Sequence, residues 1–172
     1  MPASRRDLFT FLDELGIAHE TVDHKAVFTV EESREIKREM PGGHSKNLFL
    51  KDKGGTLSLV VACAETMVDL KILGKIIGSK QRLSFGKPAL LSDVLGISPG
   101  SVTPFAVMND TGHRLDHVIL DEAFVAFEKI WFHPLENTAS TAIAPSDLPR
   151  FIEACGHEPK IMDLANLELP AD

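Results

Sequence analysis

The chain has 172 residues, 44% hydrophobic and 25% charged, the composition of an ordinary globular domain long enough to bury a core without disulfide or metal staples. No apolar run approaches membrane-spanning length, and the opening Met1-Pro2-Ala3-Ser4-Arg5-Arg6 carries no apolar signal core behind it, so the cytoplasm is the expected place of work and no membrane partner is expected. The net charge of −7 argues at first sight against a nucleic-acid partner.

Ser4-Arg5-Arg6-Asp7 reads as a capping box, and Leu8, Phe11, Leu12 and Leu15 recur at helical spacing until Gly16 stops the pattern. Residues 18–23 read as a strand. Thr29-Val30-Glu31-Glu32 is a second cap, opening a charged helix through about Met40 that Pro41-Gly42-Gly43 ends. Residues 46–51 and 56–62 flank Asp52-Lys53-Gly54-Gly55, a hairpin signal. Residues 68–77 follow helical period, with Leu70, Leu73, Ile76 and Ile77 inward and Lys71 and Lys75 outward; a further helix is expected over 88–95, with Pro88 in its first turn and Gly96 closing it.

The second half reads mainly as strands, at 105–108, 117–120, 129–132 and 138–143, with Asn109-Asp110-Thr111-Gly112 turning between the first two. A short helix at 121–127, a terminal helix at 146–155 stopped by Gly156, and an edge strand at 160–164 complete the pattern. Strands and helices mix without regular βαβ alternation, which favours a single α+β domain over 1–172 rather than a doubly wound sheet. Cys63 sits in an apolar run and Cys155 at a helix end; buried, reduced thiols are the expected state, though two cysteines leave a disulfide open.

Charge is unevenly spread. Residues 44–90 hold eight Lys or Arg (Lys46, Lys51, Lys53, Lys71, Lys75, Lys80, Arg82, Lys87) against three acids, a stretch of +5 that leaves −12 for the rest. One basic face on an acidic protein, or lysines that simply solvate exposed elements, are equally good readings of this asymmetry.

Three loops carry chemistry-bearing residues. Gly42-Gly43-His44-Ser45-Lys46-Asn47 places a flexible glycine pair, a cation and an amide at the entrance to a strand. Gly100-Ser101-Val102-Thr103-Pro104 follows Pro99, a Pro-Gly pair that also suits a plain type II turn. Phe132-His133-Pro134-Leu135-Glu136-Asn137-Thr138 ends an apolar strand. Other candidates are weak. His113 and His117 are four apart on what reads as a hairpin strand, with no third ligand at a persuasive spacing, so no metal site is expected. His19, His24 and His157 read as surface or edge residues, and Ser45 and Ser101 lack a nucleophile-elbow context.

Lys46-Asn47-Leu48-Phe49, Gly100-x-x-x-Pro104 and Phe132-His133-Pro134-Leu135-Glu136-Asn137-Thr138, in this order and spacing, resemble the YbaK/ProX superfamily of aminoacyl-tRNA editing domains, from the first helix to about Leu164. The resemblance implies a mixed, mostly antiparallel curved sheet with flanking helices. It also implies the activity of the freestanding members that hydrolyse alanyl-tRNA(Pro), with a cysteinyl-tRNA(Pro) or other small-amino-acid deacylase as the near alternative. A non-catalytic tRNA- or synthetase-binding module is the alternative of another class. The implied partners are the tRNA(Pro) acceptor end carrying a small amino acid and, transiently, prolyl-tRNA synthetase; no cofactor is implied.

An aminoacyl-tRNA is an activated ester, so its hydrolysis needs a positioned water and stabilisation of a developing oxyanion. On the resemblance, Lys46 supplies a cation for phosphate or ester oxygens, Asn47 orients a ribose hydroxyl or its own turn, Gly100 lets a backbone N–H approach the substrate, and His133 recognises a small side chain. Ser101 and Pro104 belong to the same amino-acid loop, Asn137 and Thr138 brace theirs, and Lys51 and Arg82 meet the substrate from the basic stretch. No general base is identified; the substrate's own ribose hydroxyl and an ordered water suit a site without an acid–base pair.

Overall fold

The computed structural model describes residues 1–26 and 30–169 of the chain. Helix α1 (Arg5–Glu14) begins with a complete capping box: the Asp7 N–H donates to the Ser4 hydroxyl and the Ser4 N–H donates to the Asp7 carboxylate at 2.8 Å. It buries Leu8 and Leu12, and Gly16 leaves it at φ +69°. Strand β1 (Glu20–Asp23) and helix α2 (Val30–Arg38) follow; Thr29, read as part of the α2 cap, lies outside the described residues. The hairpin of β2 (Gly43–Lys51) and β3 (Leu57–Cys63) turns around the buried Asp52 carboxylate, which accepts from the Thr56 N–H at 2.9 Å and the Lys80 N–H at 2.8 Å. Helix α3 (Leu70–Ile76) is capped by Asp69. The two-residue strand β4 (Ser84–Phe85), too short to leave a pattern in the sequence, precedes α4 (Pro88–Leu95). Two 3-10 turns (Pro99–Ser101 and Pro104–Asn109) lead into β5 (His117–Asp121) and a third (Glu122–Ala126). β6 (Ile130–Phe132), β7 (Ala139–Ile143), α5 (Asp147–Ala154) and β8 (Pro159–Met162) follow.

The strands form a mixed sheet in the order β1-β7-β6-β2-β3-β5-β8, with β4 beside β2. Antiparallel pairs outnumber parallel ones by four to three. β3 is buried along its whole length because both its faces are covered: Leu57, Leu59, Val61 and Cys63 join the main core, Val60 and Ala62 a second one. The main core lies against α1, α4, α5 and the second 3-10 turn through residues such as Leu12, Leu95, Phe151 and Phe105; the second lies against α3 through Leu73. Each large side chain fully buried in this way contributes about 1.5–3 kcal/mol. A third, small cluster of Met40, Trp131 and Ala142 packs with Ile36 of α2 and Val22 of β1.

β2 joins the two halves of the sheet. One edge pairs with β3 from Ser45 to Lys51. The other meets β6 only at Gly43 and His44 and β4 only at Leu50 and Lys51, so among the described residues 45–49 have no strand beside them on that edge. The β2–β6 contact requires glycine. Gly42 takes φ +124°, and a Cβ there would stand 2.8 Å from the Lys129 carbonyl oxygen, the same oxygen that accepts from the Gly43 N–H at 2.9 Å. A Cβ on Gly43 would stand 2.4 Å from Ile130 Cδ1 and 2.8 Å from the Phe127 ring.

Several sequence expectations are corrected. Residues 105–108 are part of a 3-10 turn, not a strand: the Phe105 N–H donates to Thr103 Oγ1 at 3.3 Å, and Pro104 fixes φ and lacks a donor for a ladder. Pro104, Phe105, Ala106 and Val107 are all buried, so no period-two pattern marks a strand there. His113, at φ +51°, lies ahead of β5, so it does not share a strand face with His117. His157 is no surface residue; its Nε2 stands 2.9 Å from the buried Asp110 carboxylate, which also accepts from the Arg114 and Leu115 N–H groups and so fastens the chain after α5 to the loop before β5. Cys63 and Cys155 are free, and burial pushes their thiols up to about 11 and about 12. No described helix is long and apolar enough to cross a membrane.

Gly42→Ala combines an unfavourable backbone conformation with a clash against main chain and is expected to cost about 2–4 kcal/mol. Gly16→Ala, at φ +69° with nothing within 4 Å of its Cβ, isolates the backbone part and is expected to cost about 1–2 kcal/mol. Urea unfolding of the two variants checks the difference.

Candidate active site

A cavity of about 320 Å³ opens beside the unpaired edge of β2. β2 contributes His44, Ser45, Lys46 and Asn47; β6 and the residue after it contribute Trp131, Phe132 and His133; the loop after α4 contributes Pro99, Gly100 and Val102. His24 and Ser140 close one side, and Ser33, Ile36, Lys37 and Met40 close another from α2 and the turn after it. Neighbouring residues of a strand point to opposite faces. Lys46 and Asn47 nonetheless line one cavity because it wraps around a strand edge that carries no partner.

Among the described residues two lysines, Lys37 and Lys46, and no carboxylate line this cavity, so it favours an anionic or strongly polar ligand. His133 Nδ1 lies 3.0 Å from the Ala139 carbonyl oxygen; a carbonyl only accepts, so Nδ1 carries the proton and Nε2 keeps its lone pair. Burial pushes the His133 pKa below 6.5, against the bond to Ala139, and His24 adds to the lowering. His44 is shifted the same way, chiefly by burial and also by Lys37, although its Nε2 donates to the Met40 carbonyl at 2.9 Å. Both rings are therefore neutral at neutral pH. His24 Nδ1 donates to the Lys25 carbonyl at 2.8 Å, its Nε2 stands 2.9 Å from Ser140 Oγ, and its ring centre is 6.3 Å from that of His133.

Asn47 is held by a short relay. Its Nδ2 donates to Ser45 Oγ at 3.3 Å, and Ser45 Oγ donates to the Trp131 carbonyl at 2.9 Å. That fixes the amide and leaves Oδ1 buried with no donor among the described residues. An unpaired buried acceptor costs about 1–3 kcal/mol, so the site keeps an acceptor available to a donor from outside the chain.

The cavity brings together Lys46, Asn47, Gly100 and His133 from all three predicted loops. Gly100 lies in a 3-10 turn and is not among the positive-φ glycines, so no type II turn forms; what the glycine supplies is space, since a Cβ would stand 3.0 Å from Asn137 Nδ2. Asn137 thus packs behind Gly100. The Thr138 hydroxyl donates to Glu136 at 2.9 Å and is exposed, Ser101 is buried 3.4 Å from Ser98 Oγ, and Pro104 is buried at the head of its 3-10 turn; none of the four lines the cavity. Lys51 and Arg82 also stand apart: Lys51 is five residues along β2 from Lys46, roughly 16 Å at strand rise, and Arg82 precedes its partner Ser84 by two. His24, read from sequence as a surface or edge residue, is instead a wall of the cavity. The β1–β7 pairing, which sets Val22 opposite Ser140, brings it there, and no local signal marks it. Lys37 was likewise hidden among the charges of α2.

Fold and cavity define a small α+β domain with a cation-lined pocket built from three loops around a split in its sheet. The chain belongs to the aminoacyl-tRNA editing domain family, whose model matches residues 24–151. It is 36% identical over 163 residues to prolyl-tRNA synthetase associated domain-containing protein 1 of Mus musculus, covering 92% of this chain and 95% of that protein. It is also 36% identical over 154 residues to the prolyl-tRNA editing protein ProX of Acetoanaerobium sticklandii, covering 89% and 93%. A crystal structure of a candidate trans-editing enzyme for prolyl tRNA synthetase shares the fold, with a TM-score of 0.69 at 18% identity over 95% of this chain and 98% of that one.

Because folding lowers the pKa of His133 and His44, the unfolded chain binds protons first as pH falls below 6.5, and their contribution to stability is lost from there down through the depressed folded values. His133→Asn is expected to flatten the loss of unfolding free energy between pH 7.5 and pH 5 relative to the natural chain, as read by urea titration at both pH values.

Proposed function

We propose that this chain is a trans-editing hydrolase that deacylates tRNA(Pro) mischarged with a small amino acid, foremost alanine. The observation that carries the reading is the meeting of Lys46, Asn47, Gly100 and His133 in one cavity that no carboxylate lines among the described residues. At about 320 Å³ it lies at the small end of ligand sites, which run from roughly 300 to 1,000 Å³. A synthetase pocket that fits proline also admits alanine, and a second site that takes only the smaller product restores fidelity. Prolyl-tRNA synthetase, named in the mouse relative, is then the natural transient donor of the tRNA.

Each group has a task in ester hydrolysis. Lys46 neutralises a terminal phosphate or the oxygen that gains charge as the carbonyl is attacked. Asn47 Oδ1 accepts from a ribose hydroxyl, which satisfies its buried lone pairs. Gly100 lets main chain stand close to the amino-acid end, with Asn137 bracing it from behind. Neutral His133 offers Nε2 as an acceptor beside the scissile ester, orienting the water or the amino group. Water attacks the carbonyl, the ester C–O bond breaks, and the tRNA hydroxyl leaves with a proton; the neighbouring ribose hydroxyl assists. Lys51 and Arg82, exposed or half-exposed and outside the cavity, meet phosphates of the acceptor stem through salt-dependent contacts.

Purified protein is expected to hydrolyse alanyl-tRNA(Pro) and to spare prolyl-tRNA(Pro). Lys46→Ala is expected to lower the rate at least about tenfold, since a transition-state contact is worth more than roughly 1.4 kcal/mol. Asn47→Leu should lower the rate similarly while leaving stability equal or up to about 1 kcal/mol higher, because it removes a buried unpaired acceptor. A deacylation panel with alanine, serine and cysteine esters reads the pocket's preference. Loss of every ester at the uncatalysed rate, with acceptor-stem binding retained, would instead mark a non-catalytic binding module.

A further inference from the structure

We propose that Arg5, in the first turn of α1, is a positioning residue that holds the two cavity histidines His24 and His133 in place. The catalytic consequence rests on the deacylase reading; the structural one does not. Arg5 Nη1 donates to Asp23 Oδ1 at 2.7 Å, and Nη2 donates to Glu136 Oε1 at 2.6 Å. Asp23 ends β1 directly before His24, and Glu136 lies three residues after His133, in the loop where Leu135 takes φ +71°. The same Glu136 oxygen accepts from the Thr138 hydroxyl at 2.9 Å, and the Thr138 carbonyl accepts from the His24 N–H at 2.9 Å. The bonds close a ring from Arg5 through Asp23, His24, Thr138 and Glu136 back to Arg5.

The Arg5 side chain is only 25% exposed, with Nε fully covered, so the guanidinium stands as a wedge between the two loops. A planar fork that reaches two carboxylates at once is a geometry lysine cannot reproduce. α1 precedes the residues 24–151 that match the editing-domain model, so that match assigns Arg5 no role. His133 is faced by His24 from the end of β1, while Lys46 of β2 and Lys37 of α2 line the same cavity. Its low pKa comes first from burial, and burial is what the ring of bonds maintains.

Histidine titration by NMR, done on the free protein, tests the clamp without substrate. In Arg5→Ala and Glu136→Gln the His133 midpoint is expected to rise toward 6.5, with the double variant moving it no further than the larger single effect and Arg5→Lys falling between. A His133 midpoint unchanged in both single variants overturns the proposal, even if both melt earlier. In deacylation of alanyl-tRNA(Pro), both variants are expected to lose about tenfold in kcat with KM held within about twofold; full kcat beside a shifted His133 overturns the positioning role. A natural chain with no deacylase activity overturns the functional reading alone, and the titration still decides the clamp.

Discussion

The close approach of Gly42 and Gly43 to the chain around Ile130 is the contact on which the site depends. Gly43 and His44 of β2 pair with β6, and they do so only because no Cβ at Gly42 or Gly43 stands against Lys129, Ile130 and Phe127. Beyond that point the strands part. β2 continues along β3, β6 turns away toward His133, and the cavity lies beside the edge of β2 left bare between β6 and β4. A bulkier start to β2 would displace β6, and with it Trp131, whose carbonyl fixes Ser45 and whose indole N–H donates to the Pro41 carbonyl.

The chemistry of the site follows from that opening. A strand edge without a partner exposes residues from both faces, which is how a cation and an amide adjacent in sequence come to share a cavity. The surrounding apolar groups, Ile36, Met40, Val102 and Phe132 among them, keep His44 and His133 neutral and strengthen the field of the lysines. The cost is carried locally, in an Asn47 oxygen with no donor among the described residues and in the positive-φ backbone of Leu135. The rest of the domain offsets this with two cores on opposite faces of β3.

Much of the fold could be read from the chain because local chemistry and tertiary structure agree. Pro88 and Gly96 bound α4, and Asp52 to Gly55 turns the hairpin, as their conformational preferences require. The segment 105–108 misled because a run buried on all sides has no period, and the proline that decides its shape stands one residue ahead. At the site, the three loops were legible as motifs, and Lys46, Asn47, Gly100 and His133, one or two from each, share the cavity. Ser101, Pro104, Asn137 and Thr138 do not line it, since a loop motif does not say which side chains face inward. Lys51 and Arg82 were drawn from a charge count, which locates no side chain. His24 and Arg5 were illegible because the partners that tie them to the site, Ser140 and Glu136, are more than a hundred residues away.

The central claim is that three distant loops form one binding site for the aminoacyl end of tRNA. Its most direct test is NMR titration of the protein with an alanyl-adenosine analogue whose ester is replaced by a stable amide. The backbone signals of Lys46, Asn47, Gly100 and His133 are expected to shift together with one dissociation constant. Shifts confined to one loop, or centred on the Lys51 and Arg82 end of the hairpin, would contradict it.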